Sequence, residues 1–240
     1  MTARVLVVEH QKNAGLGQLA PRLRANGLEL VTVGPDTGES VPGSLDGFDA
    51  LIVLGGAMGP TEDERAPWLP ATRSLITEAI DSETPMLGIC LGAQLLATAA
   101  GGHVRTMPAG PEVGLCKVEF AESASADPVF GGIASSSLPV VQWHWLEADT
   151  LPLNTEVLAS SDACANQAFR VGSKAWGVQF HPEALGPTAS DWVDEDPDSL
   201  DELGLDPRQI IAAVTDAEPR LGAAWLPIAD RFAAVVTQAS

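Results

Sequence analysis

The apolar positions of the chain fall into two kinds of run. Residues 4–8 are a short apolar run, led by Arg4 and rich in β-branched side chains, which predicts a strand buried on both faces. After a polar turn, Leu16, Leu19, Ala20 and Leu23 recur at helical spacing until Asn26 and Gly27 stop the helix. Residues 28–33 predict a second strand, a Gly/Pro/Asp-rich loop runs to Gly47, and residues 50–54 predict a third strand that ends at Gly55 and Gly56. A helix over 69–82, a strand over 85–89 and an Ala/Leu-rich helix over 91–100 follow. Strands alternating with helices of this length indicate βαβ units and a parallel sheet.

Past residue 103 the pattern shortens to β-like stretches at 114–120, 138–142, 157–160, 168–171 and 175–180. They predict a small antiparallel extension that returns to the core. An acidic, Pro-containing stretch comes next and reads as a solvated face or loop over 191–206. Helices are predicted at 207–215 and 223–238. No internal repeat is present.

Composition narrows the class. With 240 residues, 45% of them hydrophobic, the chain can build a full core without a disulfide framework. Its three cysteines lack CxxC pairing, which argues against a zinc site and for a reducing compartment. The apolar run before Glu9 is too short for a signal peptide or a membrane span, so a cytoplasmic protein is expected. A formal charge of −19 disfavours binding to phosphate backbones, so nucleic acid is not an expected partner.

The most informative segment joins the strand at 85–89 to the helix at 91–100. Cys90 stands at the junction with Gly88 and Gly92 on either side. A nucleophile on a sharp strand-to-helix turn needs small neighbours, because side chains there would strike adjacent backbone. The helix also directs its positive end and its free N–H groups at Cys90, favouring thiolate and an oxyanion. Cys116 and Cys164 have no such bracket and read as small buried hydrophobes.

His181 is the strongest candidate base. It ends an apolar strand, Pro182 follows, and Glu183 lies two residues on, where an extended chain faces the same way. Glu183 can then hold one ring nitrogen while the other meets a thiol. Of the other histidines, His10 ends the first strand, His103 reads as a turn residue, and His144 between Trp143 and Trp145 fits core packing or pocket lining equally. The turn at 54–59 offers converging N–H groups but lacks the Lys-Ser/Thr of a P-loop. An oxyanion role fits it better, with Gly56 as the donor.

Taken in order, Gly55 and Gly56, then Gly88 to Gln94 around Cys90, then His181, Pro182 and Glu183 resemble the class I, triad-type glutamine amidotransferases. The glycine pair lies about 35 residues before the cysteine and the histidine about 90 after it. The stretch at 54–64 with Trp68 and Leu69 looks like the stand-alone, GMP-synthase-like branch. The resemblance spans roughly residues 4–185.

It implies a flavodoxin-like α/β sandwich with a mostly parallel central sheet. It also implies Cys90 as nucleophile, His181 as acid and base, and Glu183 as its orienter. Gly56 and Leu91 N–H groups would hold the oxyanion, while Gly55, Gln94, Trp143 and His144 would contact substrate. No metal or organic cofactor is implied. Residues 1–185 are expected to form the catalytic domain, and 186–240 an acidic loop and helical extension packed on it.

A GMP synthase continues into an ATP-pyrophosphatase domain, whereas no P-loop-like motif occurs here. Ammonia from glutamine would therefore pass to a separate synthetase. The alternatives are a stand-alone hydrolase of γ-glutamyl amides or peptides, and a silent binding module, against which the intact Cys90, His181 and Glu183 argue.

Overall fold

The computed structural model describes residues 2–133 and 137–239. In chain order the elements are β1 (Ala3–Val8), α1 (Leu19–Ala25), β2 (Leu28–Val33), β3 (Ala50–Val53), α2 (Leu69–Asp81), β4 (Met86–Ile89) and α3 (Leu91–Ala99). The second half holds β5 (His103–Thr106), β6 (Glu112–Phe120), β7 (Leu138–His144), β8 (Leu146–Thr150), β9 (Thr155–Ser160), β10 (Ala168–Val171) and β11 (Ala175–Val178). Three helices close the chain: α4 (Gly186–Glu195), α5 (Pro197–Glu202) and α6 (Pro207–Ala239).

A nine-stranded sheet in the order β2-β1-β3-β4-β11-β10-β9-β6-β7 runs through the molecule. From β2 to β11 all neighbours are parallel, and from β11 to β7 all are antiparallel. This is the flavodoxin-like α/β architecture with an antiparallel extension. Successive residues of β1 explain why its sequence shows no polar alternation. Val5 and Val7 enter the core on the α1/α6 face, while Leu6 and Val8 enter the one on the α2/α3 face.

The small β5–β8 ladder at 103–106 and 146–150 was not legible in the pattern. Its β5 residues are mostly exposed, so no apolar alternation marks it. His103, expected in a turn, instead begins β5 and lies 2.7 Å from Asp149 Oδ1.

The C-terminal part differs most from expectation. Residues 191–206 are not a solvated loop but carry half of α4 and all of α5, with Trp192, Val193 and Leu200 buried. The two expected helices are one 33-residue helix, α6, with Pro219 and Pro227 inside it. A proline in a helix interior costs about 3 kcal/mol. Here Val214, Ala217, Leu221, Trp225, Ile228, Phe232 and Val236 form one unbroken buried stripe. Burying each large side chain in it is worth about 1.5–3 kcal/mol, so together they outweigh both prolines.

Trp225 anchors this stripe: it is fully buried, packs at a tilt against Phe180 with ring centroids 4.7 Å apart, and its indole N–H donates to Pro139 O of β7 at 2.7 Å. Trp225→Ala is expected to lower stability by about 3–5 kcal/mol. Urea unfolding followed by circular dichroism measures the change.

Candidate active site

The C-terminal ends of β1, β3, β4 and β11 bring the chemistry-bearing residues to one sheet edge, where open α/β sheets bind ligands. Cys90 sits directly after β4 with φ 51° and ψ −105°. A non-glycine residue in such a conformation costs of order 1–3 kcal/mol and must be held by its surroundings. Its N–H donates to Val178 O at 2.7 Å, and its carbonyl accepts from Ala93 and Gln94 N–H. The flanking glycines are required by close approach. A Cβ on Gly88 would lie 2.5 Å from Gly92 O, and one on Gly92 would lie 2.0 Å from Val53 O.

His181 and Glu183 are buried beside this turn, with His181 Nδ1 2.6 Å from Glu183 Oε1. The expected contact is present, but its origin differs. Residues 181–183 form a turn closed by Ala184 N–H to His181 O, so turning rather than strand alternation aims the carboxylate at the ring. His181 Nε2 is buried without a hydrogen-bond partner and borders the cleft that holds Cys90. Gly55 keeps the gap open, because a Cβ there would stand 3.2 Å from His181 Cε1 and 3.7 Å from Cys90 Cβ.

Burial by itself would lower the proton affinity of His181. The Glu183 carboxylate and the neighbouring Cys90 more than offset it and raise its pKa from 6.5 to about 10.

The second glycine turn lies across from Cys90. A Cβ on Gly56 would meet Met58 Sδ at 2.7 Å, His10 Cβ at 2.9 Å and Leu91 Cδ2 at 3.1 Å. The N–H groups of Gly56 and Leu91 have no partner among the described residues. His10 therefore backs this turn rather than lining the cleft. Its Nδ1 accepts from the Trp68 indole at 2.9 Å, and burial lowers its pKa to about 4, which keeps it neutral.

Gln94, Trp143 and His144 all border the cleft. His144 resolves its two expectations by meeting both: it is buried, and its Nδ1–H donates to Leu146 O at 2.9 Å. Gln94 donates to the same carbonyl and to Gln179 Oε1, each at 3.3 Å.

Gln179 is a site residue that the sequence pattern does not single out. Its amide donates to Cys90 Sγ at 3.7 Å. A polar residue two positions before His181, inside an otherwise apolar run, is the signal that could have found it. Trp192, Glu195, Asp196 and Ser199 also line the cleft and were missed, because their segment reads as solvent-facing. The cleft encloses about 570 Å³. Among the described residues no cluster of His, Cys, Asp and Glu is arranged to hold a metal ion, and no helix is long and apolar enough to cross a membrane.

The three thiols differ sharply in environment. Burial, aided by Glu112, pushes the Cys116 thiol up to about 11. Burial, with Glu147 and Glu112, pushes Cys164 up to about 12. Iodoacetamide at neutral pH is therefore expected to label Cys90 first, and equal labelling in peptide mass maps would contradict the assignment of an activated thiol.

For His181 the folded pKa exceeds the unfolded one. Its contribution to stability is complete below about pH 6.5 and is lost as pH rises through about 10. Glu183→Gln leaves burial less opposed, so the ring is expected to titrate at lower pH than in the wild type, as read by NMR of the imidazole.

The model of the glutamine amidotransferase class-I family matches residues 16–194. A glutamine amidotransferase-like protein of Salmonella typhimurium is 33% identical over 150 residues, 61% of this chain and 61% of its own length. A glutamine-hydrolysing GMP synthase subunit of Thermoplasma acidophilum is 35% identical over 162 residues, 67% of this chain and 74% of its own. Gamma-glutamyl peptidase 3 of Arabidopsis thaliana is 27% identical over 141 residues, 58% of this chain and 56% of its own. The match thus spans less than two thirds of the first and third of these relatives. A glutamine amidotransferase crystal structure from Thermotoga maritima superposes with a TM-score of 0.85 at 30% identity, covering 97% of this chain and 99% of that one. With the family's pattern carried across most of its sequence and the fold across nearly all of it, the chain belongs to the class-I glutamine amidotransferases and is an enzyme of that family.

Proposed function

We propose that this protein hydrolyses the side-chain amide of glutamine through a γ-glutamyl thioester on Cys90, releasing ammonia for a separate acceptor enzyme. The observation that carries the reading is His181 Nε2, buried, unpartnered and facing the cleft beside the thiol, while Nδ1 is held by Glu183.

The steps follow from the groups present. With its raised pKa His181 already holds a proton at neutral pH, so it stands as imidazolium beside the Cys90 sulfur as sulfur attacks the amide carbon, and the oxyanion is received by the Gly56 and Leu91 N–H groups. Leu91 opens α3, so the helix dipole adds to its N–H. The C–N bond breaks as His181 gives its proton to the leaving nitrogen. Water, deprotonated by His181, then attacks the thioester, and the C–S bond breaks to release glutamate and restore the sulfur beside protonated His181. Glu183 keeps the ring oriented throughout, and Gln179 N–H faces the sulfur. Gln94, Trp143 and His144 form the walls against which the amino-acid part of the substrate rests, while Gly55 spaces His181 from Cys90 and does not itself line the cleft.

A second reading, hydrolysis of larger γ-glutamyl amides or peptides by the same residues, is favoured by the cleft itself. At about 570 Å³ and lined by three tryptophans, it offers more room than glutamine alone needs. Under either reading, residues 1–185 are the catalytic domain and 186–240 an extension whose Trp192 completes the cleft. The described cysteines are unpaired, which fits a cytoplasmic setting.

Cys90→Ala is expected to abolish amide hydrolysis with an unchanged circular dichroism spectrum. Retained turnover would refute the nucleophile. Turnover of glutamine that rises on adding an acceptor synthetase supports the ammonia-donor reading, whereas efficient hydrolysis of γ-glutamyl amides with little of glutamine overturns it.

A further inference from the structure

Resting on the γ-glutamyl amide reading above, we propose that the cleft selects amides whose leaving amine carries a second, positively charged amino group, that is, γ-glutamyl diamines. His181 delivers the proton to the leaving nitrogen, so the residues packed around its ring border the amine. Trp192 of α4 packs there at a tilt of 59°, with ring centroids 4.5 Å apart. Glu195 is three positions further along α4, on the same face one turn on, and both it and Asp196 line the cleft.

These two carboxylates have no cationic partner among the described residues. Arg65, across the cleft, lies 3.2 Å from Glu62 and is neutralised by it. Glu195 Oε2 instead accepts from Asn13 Nδ2 at 2.6 Å and Gln11 Nε2 at 3.4 Å, and Asp196 Oδ1 accepts from Ser199 N–H at 3.3 Å. All of these donors are neutral, so the negative charge stays uncompensated where the amine tail would lie. The same network fixes its position. Gln11 accepts from Ala57 N–H at 2.7 Å and donates to Asn13 at 2.6 Å, which ties the acidic wall to the turn that carries Gly56. Trp143, 5.6 Å from Trp192, adds an aromatic face for the methylene stem and for the cation itself.

The buried, unpartnered His181 Nε2 marks the point from which the tail departs. The bond broken is the γ-amide C–N bond, the proton comes from His181, and the diamine leaves while the glutamyl group stays on sulfur until water releases it.

The test compares kcat/KM for the γ-glutamyl amides of putrescine, butylamine and γ-aminobutyrate, with tails that are cationic, neutral and anionic, alongside glutamine. The putrescine amide is expected to exceed the butylamide by about tenfold, the size of two partly exposed ion pairs, and the aminobutyrate amide to be slowest. Glu195→Gln combined with Asp196→Asn keeps acceptor oxygens for Asn13 and for the Ser199 N–H. It is expected to bring the putrescine-to-butylamide ratio close to one. A wild-type ratio near one overturns the inference and leaves the hydrolase reading standing. So does a variant that loses the same factor on every substrate including glutamine, since the carboxylates would then serve the shared α-amino end. Absence of turnover on all four substrates removes the hydrolase reading itself, and the inference falls with it.

Discussion

The site depends on one strained residue. Cys90 occupies a backbone conformation that a side chain disfavours, and it does so because β4, β11 and α3 meet there with no space to relax. The hydrogen bond from Cys90 N–H to Val178 O locks the elbow to the strand that leads to His181. The approach of Gly92 to Val53 O locks it to the strand that leads to Gly55 and Gly56. One turn thus fixes the strand ends on both sides relative to the sulfur. The strain of about 1–3 kcal/mol is small beside the buried apolar area of β3, β4 and β11, so the fold tolerates it readily.

Burial then sets the electrostatics. An imidazole and a carboxylate taken out of water each lose several kcal/mol of hydration, and their mutual attraction returns it only with good geometry. The 2.6 Å contact between His181 and Glu183 supplies that geometry on one ring nitrogen. Nothing supplies it on the other. An unmet polar atom in a buried position costs about 1–3 kcal/mol, and a purely structural histidine would gain from a partner there. Because His10 and His144 also bury an Nε2 without a hydrogen bond, what sets His181 apart is its place: it borders the cleft beside Cys90 while a buried carboxylate holds its other nitrogen. His144 and His10 differ from it in what their Nδ1 meets. The first uses Nδ1 to brace the Leu146 carbonyl, and the second is held neutral beneath the Gly56 turn by burial and the Trp68 indole.

The parallel half of the sheet and its elbow were legible in the sequence because their signals are local. Unbroken apolar runs mark strands buried on both faces, and paired glycines mark close backbone approach. The pairing of His181 with Glu183 was legible as a contact though not as a turn, since adjacency in the chain sufficed. Gln179 was hidden because its meaning depends on Cys90, far away in sequence and joined to it only by the β4–β11 pairing. The acidic segment misled for a different physical reason. Its charges face solvent or the cleft, while Trp192 and Leu200 turn inward, and a short helix with few buried positions looks like a charged loop. In α6, local propensity and tertiary packing disagree at Pro219 and Pro227, and the long buried stripe prevails.

That stripe also connects the far end of the chain to the cleft. Trp225 of α6 donates to Pro139 O in β7, the strand that ends in Trp143 and His144. Earlier on the same helix, Thr215 and Glu218 receive the start of α4. Gly186 N–H donates to Glu218 Oε1 at 3.0 Å, and a Cβ on Gly186 would lie 2.4 Å from Thr215 Oγ1. The glycine lets α4 sit flush on α6, and α4 in turn lays Trp192 against His181. Two walls of the cleft, one from the antiparallel extension and one from the C-terminal helices, are therefore referenced to a single rigid helix. Because neither wall can shift without disturbing α6, the spacing between Trp143 and Trp192 is set by the core rather than by the loops that border the substrate.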